Sequence, residues 1–297
     1  MKKISAILAL GLSFLIITSN INLQSTEETQ PIHGKNWKDY PLSLVDKTNN
    51  KLNVRVKILT PPLMQKPKHV PTEFTAFATG KVEGVELTLI DENDNGEYDE
   101  IGTDLIVFGK SPYGVPLSKI ININKKLYEC KVASNGDRIS LIPYDGKYGV
   151  LDFISNFKCQ SKLDYAILNL DDIYIDVAND KNILLPCGIY KFWLGYMQEG
   201  TSHVTIKQNG MQPIEITDEL NSDGQRKVTA IKWGASFRLD FQFEANNEKV
   251  KVIYGSLKVY GSTNEEYFNI FPSLSPQIEV KDSNNLPVVP KGSFPGC

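Results

Sequence analysis

Apolar and polar residues alternate in short runs along most of the chain. The segments Asn53 to Leu59, Val85 to Ile90, Leu105 to Phe108, Arg138 to Ile142, Ile189 to Leu194, Ser202 to Ile206, Phe237 to Phe243 and Gln277 to Val280 are rich in β-branched or aromatic residues. A period of two is the strand signature, because successive side chains point to opposite faces. Turn signals lie between these runs: Asn95-Gly96, Asn135-Gly136, Asp145-Gly146, Asn209-Gly210, Asp223-Gly224 and Pro295-Gly296. Beyond the N-terminal apolar stretch, no segment keeps the i, i+3, i+4, i+7 spacing of a helix for three turns. The pattern predicts an all-β protein of two or three β-sandwich modules. Pro61, Pro62, Pro67 and Pro71 make 60–72 an extended loop, since proline cannot donate to a ladder. Further joints at Pro143 to Gly149 and Glu219 to Gly224 divide the chain into modules at 26–142, 143–220 and 221–297.

The first 25 residues follow a different pattern. Lys2 and Lys3 precede an apolar stretch from Ile4 to Ile17, and polar residues follow from Thr18. This is the layout of a cleavable signal peptide. The run is shorter than the roughly 20 apolar residues of a spanning helix and lacks a basic flank. Cleavage between Ser19 and Ser25 is expected to leave a secreted or periplasmic chain that does not span the membrane. The formal charge is −3, and loss of Lys2 and Lys3 makes it −5. With the remaining basic residues scattered, nucleic acid is excluded as a partner.

An oxidising destination bears on the four cysteines, Cys130, Cys159, Cys187 and Cys297. They form no C-x-x-C pair, and disulfides are the expectation, with the connectivity open.

One segment carries chemistry. In Asp91-Glu92-Asn93-Asp94-Asn95-Gly96-Glu97-Tyr98-Asp99, the residues Asp91, Asn93 and Asn95 occupy positions 1, 3 and 5 of a calcium loop. Gly96 permits the sharp turn at position 6, Glu97 offers its main-chain carbonyl at position 7, and Asp99 stands at position 9. A hard cation takes six to eight oxygens, and alternating side chains in a tight turn can all face one point. Position 12 is Gly102 in place of the bidentate glutamate of a helix-flanked loop, so the missing carboxylate must come from Asp104, with Glu100 behind it. Asn-Gly between apolar strands is also a hairpin signal. The distance from Ile90 to Leu105, however, is too long for a tight hairpin, and its acidic residues would repel one another without a cation.

The loop resembles the D-x-[DN]-x-[DN]-G insertions between strands of secreted calcium-binding modules. Pro186-Cys187-Gly188-Ile189-Tyr190, followed by Val204-Thr205-Ile206 and Gln208-Asn209-Gly210, resembles the P-x-G-x-Y turn and strand of transthyretin-like or carboxypeptidase-regulatory-like modules. Trp233-Gly234, Tyr260-Gly261, Glu265-Glu266-Tyr267 and Ser275-Pro276 are similar to stretches of uncharacterised exported bacterial β-sandwich proteins. These resemblances imply a non-catalytic fold.

Tyr190, Phe192, Trp193 and Tyr196 invite a sugar-binding reading, but strand alternation places at least one side of this group in a core. His33, His69 and His203 belong to no H-E-x-x-H motif, no serine lies in G-x-S-x-G, and Gly109-Lys110-Ser111 lacks the earlier glycine of a phosphate loop. The expectation is a calcium-binding protein with a binding or structural role, its partner an unknown protein or a cell-surface polysaccharide. A secreted hydrolase or carbohydrate-binding protein is the alternative.

Overall fold

A computed structural model describes residues 36–45, 77–159, 161–199, 202–245, 250–253 and 256–268, with a few further positions between 277 and 293. The expected leader, the strand at 53–59, the proline loop at 60–72, His33, His69 and Cys297 lie outside the described residues. The described part is all-β and contains no helix.

The strands begin as an antiparallel meander. Ser43–Val45, Phe77–Val82, Val85–Ile90, Leu105–Phe108 and Val115–Pro116 pair in that order. A second sheet has the order Lys38–Pro41, Arg138–Pro143, Lys126–Val132, Ile120–Ile123. Leu87 and Leu89 of the first sheet and Ile121, Ile139 and Leu141 of the second turn into one shared core. Alternation supplies the reason: the odd-numbered residues of Val85–Ile90 that are apolar lie on one face.

A third sheet is built on the long antiparallel pair Lys162–Leu170 and Gly188–Glu199. It continues through Ser202–Ile206, Glu266–Phe268, Lys258–Tyr260 and Arg238–Asp240, with Ile173–Asp176 on its other side. Both faces of the long pair are covered. Tyr165, Ile167, Leu194 and Tyr196 join the first core, while Ala166, Leu168, Phe192 and Met197 join a second core around Phe153, Tyr190, Trp233 and Tyr267. The strand therefore reads apolar at almost every position, as a two-sided wall should.

The chain beyond residue 220 returns into sheets begun earlier. Val228–Ala230 runs parallel to Tyr148–Asp152, Trp233–Gly234 runs parallel to Phe157–Lys158, and Glu266–Phe268 pairs with Ser202–Ile206. Trp233 is fully buried and donates its indole N–H to the Phe153 carbonyl at 2.7 Å. Glu265 is also fully buried. Its carboxylate accepts the Gly234 N–H at 2.7 Å, the Thr263 N–H at 2.9 Å, the Thr263 hydroxyl at 2.7 Å and the Tyr267 hydroxyl at 3.1 Å. Four donors replace the water that this charge loses on burial.

Candidate functional site

The chain leaves Val85–Ile90 at Asp91 and re-enters the neighbouring strand at Leu105, opposite Ile90. The intervening loop folds around two buried carboxylates. Asp91 Oδ1 accepts the Asn95 N–H at 3.2 Å and Oδ2 accepts the Gly96 N–H at 2.7 Å. Asp94 and Gly96 take left-handed backbone conformations, with φ of 57° and 87°, and make the sharp turn. At the other end Asp104 Oδ2 accepts the Glu100 N–H at 2.8 Å, and Oδ1 accepts the Glu92 N–H at 3.4 Å.

The asparagines meet above these carboxylates. Glu100 Oε2 accepts the Asn93 amide at 2.5 Å and the Asn95 amide at 2.9 Å, so three side chains converge on one point. Asn95 Oδ1 accepts the Glu97 N–H at 2.8 Å. Asp99 is exposed, and its carboxylate takes no part in these hydrogen bonds. Of the residues singled out by spacing, Asn93 and Asn95 thus come together with Glu100, Asp91 and Asp104 lie beneath them, and Asp99 stands at the rim.

Two contacts fix the loop to the rest of the fold. Tyr98 is buried in the first core and donates its N–H to the Ser134 carbonyl at 2.9 Å. Its ring lies over Gly136, where a Cβ would come within 2.7 Å of the ring carbons. Gly102 packs against the Tyr174 hydroxyl and donates its N–H to the Leu117 carbonyl at 2.9 Å.

The electrostatics of the loop are one-sided. Burial, then the Asp104 and Asp91 carboxylates, push the Glu92 carboxyl up to about 7. Burial pushes Asp104 up to about 6, against the two N–H groups it accepts and with help from Asp91 and Glu100. The Tyr98 phenol is raised by burial and by Asp91, Asp104 and Asp94. Among the described residues, none of Asp91, Glu92, Glu100 and Asp104 forms an ion pair with a lysine or arginine. Nor do three or more His, Cys, Asp or Glu side chains come together there as a metal-ligand cluster. The loop's carboxylate oxygens face N–H donors and Glu100 faces the two asparagine amide nitrogens; a set of carboxylate and amide groups suits a hard cation better than a thiolate- or imidazole-seeking one.

The cysteine expectation is corrected. Cys130, Cys159 and Cys187 are free thiols, so two bridges among four cysteines do not form. Cys130 lies inside the first core, where it packs as a small apolar residue and burial pushes its thiol up to about 12.

The aromatic group also differs from simple alternation. A bulge at Trp193 lets Phe192 pair with Leu168 and Leu194 with Ile167. Tyr190 and Phe192 consequently face the second core and Tyr196 the first, where a regular strand would put all three on one side. All three are buried, and Trp193, half-buried, packs edge-on against Tyr174 at a centroid distance of 5.4 Å. Spacing ranked Glu100 behind Asp104 as the added carboxylate, and the contact of Glu100 with both asparagines has no local signature beyond its acidity. Comparison of the chain with family models, with curated proteins and with solved structures gives no match.

Proposed function

We infer that the 91–104 loop holds a calcium ion and that the protein is an exported β-sandwich component with a binding or structural role at the cell exterior or in the periplasm. The observation that carries this reading is the mutual repulsion of the loop's carboxylates, Asp91 and Asp104 acting on Glu92 and Asp91 and Glu100 acting on Asp104, with no ion pair to a lysine or arginine among the described residues. A divalent cation relieves their repulsion and favours their ionised forms. Asp91, Asn93, Asn95, the Glu97 carbonyl and Asp104 are the ligands that the loop spacing provides. Glu100 adds a further carboxylate, and Asp99 at position 9 acts through a water, as that position commonly does. A half-turn of each asparagine amide exchanges its nitrogen for its oxygen without moving the backbone. The leader-like N-terminus supports export, and the P-x-G-x-Y resemblance supports a non-catalytic module.

Calorimetric titration tests the reading. The wild type should take up one calcium per chain, Asp91→Ala should take up none, and Asp94→Ala, whose side chain is exposed, should retain binding. Calcium at 100 times its dissociation constant should raise stability by about 2.7 kcal/mol if only the folded state binds. No uptake by the wild type at millimolar calcium would leave the loop an acidic surface turn.

A further inference from the structure

Away from the loop, a cleft of about 800 Å³ opens between the 106–115 segment, the start of Lys162–Leu170 and the Ile173–Asp176 strand with the turn that follows it. None of residues 91–104 lines it. Its floor is aliphatic, with Ile106, Ile121 and Val115 contributed from the first core. Beside the neutral Ser111, Asn122 and Asn179, its charged lining is mostly carboxylate: Asp164, Asp176 and Asp180. Among the described residues Lys162 is the only basic one in the lining, and its ammonium lies 3.7 Å from Asp164. Asp176 is held in place, with Oδ1 accepting the Ala166 and Ala178 N–H groups at 3.1 and 3.0 Å and Oδ2 accepting the Asn179 amide at 2.8 Å.

These features select a class of ligand. An anion would meet three carboxylates with one lysine that is already engaged, so phosphates and acidic sugars are disfavoured. A neutral saccharide needs an exposed ring to stack on. Tyr113 is only 8% exposed, packed against Tyr165 and Tyr196 at centroid distances of 5.3 and 5.7 Å, and offers no such platform; Phe108 and Tyr174 also line the cleft and are half-buried, and beside carboxylates such rings favour a cation over a neutral saccharide. What fits is an aliphatic body for the floor carrying positive charge for the carboxylates.

We propose that this cleft binds an organic cation, a protonated amine or guanidinium on an aliphatic chain. Free diamines and the lysine or arginine side chains of a polypeptide share that chemistry.

The test is a calorimetric titration of the full chain with three compounds of one length, 1,6-diaminohexane, 1,6-hexanediol and adipate, followed by a lysine-rich peptide and maltohexaose. The diamine should saturate, with the diol at least tenfold weaker and adipate not binding. Asp164→Asn and Asp180→Asn should each weaken the diamine roughly three- to tenfold, while Lys162→Ala should tighten it by a similar factor. A misfolded variant cannot produce that tightening. Peptide binding tighter than diamine binding identifies a polypeptide as the source of the cation, and the reverse identifies a free amine. Equal binding of diol and diamine, saturation by maltohexaose in place of the diamine, indifference of the diamine to all three substitutions, or no saturation at about 10 mM diamine would overturn the proposal. Because the cleft shares no lining residue with the loop, each of these results is independent of calcium uptake.

Discussion

In the calcium-free protein, Asp104 should make stability fall as pH rises. Its carboxyl has a value of 3.8 in the unfolded chain and is held at about 6 in the fold, chiefly by burial. Across that interval the folded state keeps a proton that the unfolded state has lost, so the slope of unfolding free energy against pH is negative. The contribution is complete below about pH 4 and lost as pH rises through about 6. At 1.36 kcal/mol per pH unit the interval corresponds to roughly 3 kcal/mol, an upper figure for one fully buried group. Glu92, raised to about 7, acts in the same direction but is half-exposed, and solvent screening reduces its share. Asp176, raised to about 6 by burial against its three hydrogen bonds, also acts this way. Asp104→Asn isolates the residue, since the amide does not titrate. In a chelator, the stability difference between wild type and variant should shift by roughly 2 kcal/mol in favour of the variant between pH 4.5 and 7.5, since about a third of the full effect is already lost at pH 4.5. At about 2–4 °C per kcal/mol for a chain of this size, thermal melts should show a relative swing of roughly 4–8 °C. Saturating calcium should abolish it, because the bound ion favours the ionised carboxylate. Parallel melting curves for the two proteins across this range in chelator would refute the reasoning.

Three further outcomes follow from other parts of the fold. Glu265→Ala should cost at least about 3 kcal/mol in urea denaturation, because the buried Gly234 N–H and Tyr267 hydroxyl lose their acceptor; a loss below about 1 kcal/mol would contradict its role. Gly136→Ala should both destabilise the protein by roughly 1–3 kcal/mol and weaken calcium uptake, since its Cβ displaces the Tyr98 ring that anchors the loop and its φ of 73° disfavours a side chain. Cys130 should resist alkylation at pH 8 in the native protein and react once the chain is unfolded, as mass spectrometry of iodoacetamide-treated samples will show.

The parts of this fold legible in sequence are those whose cause is local. Val85–Ile90, Leu105–Phe108 and Ser202–Ile206 form over the residues that alternation marks, because period and β-branching act within one strand. Gly96, Gly136 and Gly224 turn in the left-handed region at their Asn-Gly or Asp-Gly steps for the same reason. What is not legible depends on distant partners. No feature near Glu219 to Gly224 says that the following chain re-enters sheets built by residues 148–206. The bulge at Trp193 answers to the facing strand, and the alternation drawn through it consequently placed Tyr196 on the wrong face. The expectation of export gave a reason to pair the cysteines, yet pairing also needs Cα atoms about 4.4–6.8 Å apart, and the core takes Cys130 instead. In the loop, spacing identified the asparagines that converge, while Glu100 enters through a fold of the chain that spacing alone does not specify.

A crystal structure of the protein grown with calcium, with anomalous scattering used to locate the ion, tests the central claim most directly. The account predicts one peak enclosed by Asp91, Asn93, Asn95, the Glu97 carbonyl, Glu100 and Asp104, with oxygen distances of about 2.3–2.6 Å and Asp99 reached through water. A loop that keeps both asparagine amides on Glu100 and shows no peak at millimolar calcium would contradict it.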